Sequence, residues 1–172
     1  MISNRAIAIA TMLALSVFAP QARGGEVAWR TWDAGMAEAA SSGRPVVVNV
    51  YTGWCGWCKR MDRDVYARDD VRNYLARNFV AIRLDAESRD PAKYENRNYT
   101  SSALAQRFHV SGYPTTIFLR SNGEHVVNVP GYIEPERFKL MLRFFGEGHF
   151  DRGVRWQDFE KNGGAAEAPQ DR

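Results

Sequence analysis

The chain predicts an α/β fold, a central mixed β-sheet flanked by helices on both faces, and three observations carry that prediction. Pro45 to Tyr51 is an apolar run in which Val46, Val47, Val48 and Val50 leave almost no polar face, so this strand is central and covered on both sides. A helical stretch separates it from a second largely apolar run, Phe79 to Leu84, and a β-α-β order implies parallel pairing. Thr115 to Leu119 and Val126 to Val129, joined through Ser121-Asn122-Gly123-Glu124, read as an antiparallel hairpin that closes the sheet.

The other elements follow in order. Arg5 precedes the apolar stretch Ala6 to Ala19, so residues 1–22 read as a secretory signal peptide, with cleavage near Ala22. Residues 23–160 form the expected domain and 161–172 a disordered tail. Asp33 caps a helix over Ala34 to Ser42 that Gly43 stops, and Asp69-Asp70 cap another that runs to Asn78. Asp85 to Asn98 is polar, charged and broken by Pro91, which predicts a long loop or a loop with one helical turn, ordinarily a solvated connector, with partner selection through Tyr94 and Tyr99 as the alternative. Ser101 to Phe108 forms a short helix. Pro135 opens the last long helix, with Phe138, Met141, Leu142 and Phe145 on one face and Gly146 at its end. Phe150 to Phe159, with Trp156, packs back on the domain to complete the core.

Composition narrows the function classes. With 172 residues and 45% hydrophobic content the chain buries one ordinary core. Its 23 Lys and Arg against 20 Asp and Glu leave a formal charge of +3, and the basic residues are scattered, so nothing asks for nucleic acid. The only two cysteines, Cys55 and Cys58, stand three apart directly behind the buried strand. A bridge closing so small a loop gives little chain-entropy stabilisation, so the pair is explained by reactivity. A strand that turns into a helix places Cys55 at a helix N-terminus, where unpaired N–H groups favour negative charge, and an activated thiolate is expected there. Haem attachment would want His where Lys59 stands. A zinc site would need ligands from His109, His125 and His149, which are far apart in sequence, so no metal is expected.

The order of elements, Trp54-Cys55-Gly56-Trp57-Cys58-Lys59 after a buried strand, and Gly112-Tyr113-Pro114-Thr115 before the hairpin resemble the thioredoxin superfamily over Trp32 to Gly146. The resemblance implies the thioredoxin fold and an exported thiol-disulfide oxidoreductase with no cofactor beyond a redox-active Cys55–Cys58 disulfide. Cys55 would attack a substrate disulfide and Cys58 would resolve the mixed disulfide. Pro114 would be a cis-proline facing the sulfurs, with Trp54, Gly56, Trp57, Tyr113 and Pro114 contacting substrate. The implied partners are disulfide-containing exported proteins in the periplasm and a membrane thiol relay as electron donor.

Two departures bear on direction. Trp57 stands where relatives carry Pro or His, and it cannot stabilise a thiolate as a protonated His does, which favours a reductase or isomerase. Asn49, six before Cys55, replaces a buried Asp that assists the second cysteine. It is expected as a satisfied polar core residue, or as a water-holding substitute. The basic partner of that Asp falls near Ala81 by spacing, or at Arg83 after a small register shift, and proton handling passes to water or to a loop acid such as Glu87. The alternatives are a net oxidase and a binding or chaperone module that does not use its cysteines.

Overall fold

A four-stranded sheet with six α-helices around it accounts for residues 26–165, which the computed structural model describes. The expected signal peptide at 1–22 and residues 166–172 of the expected 161–172 tail lie outside them; the described part of that tail is ordered, with Lys161 helical and buried Gly164 accepting from Arg143 Nη2. Strand β1 (Val46–Tyr51) runs parallel to β2 (Val80–Asp85) and antiparallel to β5 (Thr115–Leu119), and β6 (His125–Pro130) pairs antiparallel with β5. The order is therefore β2-β1-β5-β6, a mixed sheet with the all-apolar strand inside. Arg30 adds a bridge along the outer side of β2 at Ile82, which shields part of that edge.

Side chains alternate across β1, so each face of the sheet holds its own core. Val46, Val48 and Val50 pack with Ile82, and α1 (Trp32–Ser42) and α4 (Ser101–Arg107) cover them through Trp32 and Leu104. Val47 and Phe118 face α2 (Gly56–Met61), α3 (Asp69–Asn78) and α5 (Pro135–Gly146) through Met61, Leu75, Phe138 and Leu142. A single π-helical turn, Asp62–Tyr66, continues α2, closed by the Ala67 N–H on the Asp62 carbonyl at 3.0 Å. The wider turn brings Val65 and Tyr66 inward together. Helix α6 (Trp156–Lys161) lies on α5, where Phe144 meets Trp156 at 5.4 Å and Phe159 at 5.3 Å between ring centroids. The stretch after α5 thus extends the core.

The segment expected as a long loop is a β-hairpin. Strands β3 (Pro91–Tyr94) and β4 (Arg97–Thr100) pair through a two-residue turn in which Glu95 and Asn96 both have positive φ. Ala92 and Tyr94 alternate into the core while charged neighbours face out, a signal too short to override the polar composition. Tyr94 packs against Trp32 and Phe108, which makes it a core residue. Asp33 does not cap α1: Thr31 occupies that position, and the Asp33 carboxylate accepts the Lys93 N–H at 2.7 Å, tying the hairpin to the helix. Arg68 precedes α3, leaving Asp69 and Asp70 in its first turn. Gly43 does end α1, in the left-handed conformation at φ 70°.

Asp70 links α3 to α5, accepting from Arg68 Nε and from Lys139 Nζ, each at 3.0 Å. The Arg68 guanidinium, aided by Lys139, holds its carboxyl well below the usual carboxylate range. A depressed folded value means stability that is present above the unfolded value of 3.8 and lost as pH falls further. The pair is about one-third exposed, so Asp70→Asn should cost about 0.5–1 kcal/mol at neutral pH. Urea unfolding should show that difference shrinking below pH 3.8, and a constant difference down to pH 2 would contradict this assignment.

Candidate active site

The end of β1 delivers the chemistry. After Tyr51 the chain turns, the Cys55 N–H meets the Thr52 carbonyl at 3.2 Å, and α2 begins at Gly56 with Cys55 as its N-cap. Cys55 and Cys58 are joined as a disulfide, and the Cys58 N–H points at Cys55 Sγ at 3.0 Å. The same N–H would donate to a Cys55 thiolate once the bond is reduced. The sulfurs sit in residues only 4% and 3% exposed, whereas their neighbours Trp54 and Trp57 are 67% and 55% exposed. Large exposed apolar side chains ordinarily mark contact surfaces, and here two of them bracket the reactive bond.

The second predicted motif arrives at the same place. Thr115 is in register with Val50, so Pro114 abuts the end of β1, buried, and the Tyr113–Pro114 peptide bond is cis. Trp54 meets Tyr113 edge to face at 5.9 Å, joining the two motifs into one rim. All seven predicted site residues therefore gather at one pole of the sheet. Glu87 is there as well, but its carboxylate accepts the Trp54 indole N–H at 2.9 Å and braces that ring.

Sequence reading missed the opposite side of the rim. Tyr132 lies 5.7 Å from Trp57, and the Arg60 guanidinium stands 5.2 Å from both ring centroids. An exposed cation over such rings contributes about 0.5–1 kcal/mol. The available signal was topological: β6 returns beside Thr115, and the Gly131 N–H donates to the Pro114 carbonyl at 2.7 Å, which carries Tyr132 to the rim.

Beneath the rim, Asn49 lies between Arg83 on β2 and Thr116 on β5 in register. Of the two expected positions for the basic partner, Arg83 is the one beside Asn49. Its Nη2 binds Asp62 at 2.6 Å and its guanidinium lies 4.3 Å from the Tyr51 ring centroid. Asn49 is 1% exposed and its Oδ1 has no protein hydrogen-bond partner. Burial pushes the Tyr66 hydroxyl well above its ordinary range, so Tyr66 stays protonated. Among the described residues no three His, Cys, Asp or Glu side chains are gathered as metal ligands.

Residues 32–146 match the family model described as a thioredoxin-like domain. The chain is 34% identical over 112 residues to the thiol:disulfide interchange protein DsbD of Ralstonia nicotianae, covering 64% of this chain and 17% of that protein. It is 28% identical over 107 residues to the protein of the same name from Yersinia pestis, covering 61% and 16%. The chain thus spans about a sixth of the length of these curated relatives. A thioredoxin from Thermus thermophilus superposes with a TM-score of 0.57 at 26% identity, over 73% of this chain and 96% of that one. A thioredoxin-fold protein from Helicobacter pylori superposes with a TM-score of 0.59 over 71% and 81%, and at 20% identity it speaks to fold alone. A bonded cysteine pair in a thioredoxin-like domain is the equipment of a thiol-disulfide oxidoreductase.

Proposed function

We propose, given that this chain belongs to the thioredoxin-like domain family, that it reduces or reshuffles disulfides of exported proteins through Cys55 and Cys58. The observation that carries the reading is the Cys55–Cys58 bond at the start of α2, bracketed by exposed Trp54 and Trp57, with Tyr113 of the Tyr113–Pro114 turn in contact with Trp54. In the reduced protein the Cys55 thiolate attacks one sulfur of a substrate disulfide, and the other substrate sulfur leaves with the electron pair. Cys58 then loses its proton and attacks Cys55 Sγ. The mixed disulfide breaks, the second substrate thiol departs, and the Cys55–Cys58 bond holds the two-electron oxidation.

Trp54, Trp57 and Tyr113 offer apolar area to the segment around the substrate cysteine, while Gly56 and Pro114 keep the approach to the sulfurs free of long side chains. No additional cofactor is needed, because the electrons move between sulfurs. Periplasmic residence is supported by the signal-like segment 1–22 and by the relatives named for thiol:disulfide interchange. A membrane thiol relay is the donor that fits, since soluble nicotinamide systems do not operate outside the cytoplasm. No helix among the described residues is long and apolar enough to cross a membrane.

The test is dithiothreitol-driven reduction of insulin, which the protein should accelerate well beyond dithiothreitol alone. No acceleration would reject the reading. Equilibration with glutathione fixes direction: Trp57 supplies no positive charge to the reduced state, so the pair should stay oxidised at glutathione ratios that keep a strong oxidase reduced. A reduced pair under those ratios would make the protein a net oxidase.

A further inference from the structure

Charge is distributed unevenly along the rim that surrounds the Cys55–Cys58 bond. At the Trp54 end stands Glu87, whose carboxylate accepts the Trp54 indole N–H at 2.9 Å while Asp85 accepts the Glu87 N–H at 2.9 Å. At the Trp57 end stands Arg60, whose guanidinium lies 5.2 Å from the ring centroids of both Trp57 and Tyr132. The two rings are 5.7 Å apart, so the cation rests against an aromatic corner instead of sweeping through solvent. Trp57 and Arg60 are three apart on α2 and share a helix face, and Tyr132 joins them from the turn after β6.

The partners of Arg60 leave it donors to offer. A guanidinium carries five N–H groups. Nε donates to Asp64 at 3.2 Å, and the guanidinium faces the Tyr132 hydroxyl. Among the described residues no other acceptor meets it, and its side chain is 49% exposed. Asp64 does not neutralise it fully, because Arg63 Nε donates to the same carboxylate at 2.8 Å. Lys59, Arg60 and Arg63 thus stand against Asp64 and, beside Tyr132, Glu134, which leaves this end of the rim positive and the Trp54 end negative.

The chemistry of that cation selects its ligand. Arg presents a planar fork that matches a carboxylate in two hydrogen bonds, and stacking on aromatic faces holds the plane while leaving the edge to bind. A side chain already held in place loses little conformational freedom when it binds. Trp57 stands between the two cysteines, so an acid that reaches Arg60 belongs to the same segment that brings a disulfide to Cys55. The departure at position 57 therefore has a use: its ring is half of the seat for Arg60.

We propose that Arg60, seated on Trp57 and Tyr132, recognises a carboxylate side chain close to the reactive disulfide of a partner polypeptide, on one side of the partner cysteine only. The other side of that cysteine lies toward Glu87, where an acid is repelled. The proposal rests on the dithiol reading above and leaves its chemical step unchanged, because Arg60 touches the partner segment and not the sulfurs. Arg60 sets specificity, and Trp57 and Tyr132 position it.

The test uses symmetrical peptide disulfides, two identical peptides joined through one cysteine each, so that attack on either sulfur gives the same product. Each peptide carries Glu, Gln or Lys either two residues before or two residues after its cysteine. The full-length protein, reduced beforehand, is mixed with each, and release of free peptide is timed by chromatography. Each rate is divided by that with dithiothreitol alone, which removes the effect of the charge on the disulfide itself. At one placement, and not the other, the Glu peptide should react about three to five times faster than the Gln peptide at low salt, with the difference shrinking in about 0.5 M salt. The Lys peptide should be slower than both. Arg60→Gln should bring the Glu to Gln ratio close to one, and Arg60→Lys, which keeps the charge without the fork, should restore only part of it. Arg63→Gln, an equal loss of charge beside it, should leave most of the ratio in place. A ratio unchanged in Arg60→Gln, equal losses in Arg60→Gln and Arg63→Gln, or equal preference for Glu at both placements would overturn the proposal and leave the dithiol reading standing. So would Arg60→Gln slowing every peptide alike, which is what a structural lesion produces. Wild-type protein that reduces insulin but none of the peptides would overturn the proposal alone, and one that reduces neither would overturn the dithiol reading with it.

Discussion

Replacing either cysteine by serine should abolish turnover, and the two variants should fail differently. Cys55→Ser is expected to form no mixed disulfide, because the sulfur at the start of α2, facing the Cys58 N–H, is the one proposed to attack substrate. Cys58→Ser should form the mixed disulfide through Cys55 and be unable to resolve it, so a covalent complex with substrate accumulates and persists until external thiol is added. Mass spectrometry of the trapped complex identifies the bonded cysteine. A complex through residue 58 in Cys55→Ser, with none in Cys58→Ser, would reverse the assigned roles. Insulin reduction retained in both single variants would remove the dithiol mechanism entirely.

The largest structural loss is expected at Trp32. It is 2% exposed and lies at 5.8 Å from Tyr94 and 5.7 Å from Phe108 between ring centroids. Its indole N–H donates to the Lys93 carbonyl at 2.9 Å. One residue therefore holds α1, the β3–β4 hairpin and the end of α4 on the sheet. Trp32→Ala should cost about 3–5 kcal/mol in urea unfolding, from lost apolar burial and a cavity that its two aromatic neighbours cannot fill. Domains of this size have only about 5–15 kcal/mol in hand, so the variant should be marginal at 37 °C. Trp32→Phe should recover part of the loss but not the bond to Lys93. A cost below about 1 kcal/mol for the alanine variant would show that the hairpin is held elsewhere.

The four sheet strands were legible because each carries a local signal strong enough to outweigh its surroundings. Val46 to Val50 has almost no polar face, Asn49 being its one polar residue, and Asn122-Gly123 is a turn signal between two β-rich runs. The reactive pair was legible for a similar reason: its chemistry depends on two cysteines one turn apart after a strand, and sequence displays spacing directly. The β3–β4 hairpin was not, because its signal is one short alternation, Ala92 and Tyr94, inside a charged stretch, and the partners that make it a core element lie about 60 residues upstream in α1. Asp33 failed as a cap for the same reason, since a carboxylate that suits a helix start also suits the distant Lys93 N–H.

At the site, sequence reading found the residues adjacent to the sulfurs and missed those brought by topology. Tyr132 and Arg60 meet at Trp57 only because β6 ends beside Pro114. The polar set around Asn49 draws one residue from each of three strands and one from a π-helical turn, and the inward placing of Tyr66 depends on that turn's extra residue. Asn49 itself was noticed as a departure from the family pattern. Its neighbours follow only from strand register, which a one-residue slip would reverse.

Alkylation of the reduced protein with iodoacetamide at about pH 6.5, followed by peptide mapping, tests the central claim most directly, since an ordinary thiol with a pKa of about 8.5 reacts slowly there. One equivalent should enter Cys55 quickly while Cys58 stays unmodified. Both cysteines remaining unmodified, or Cys58 reacting first, would contradict the account.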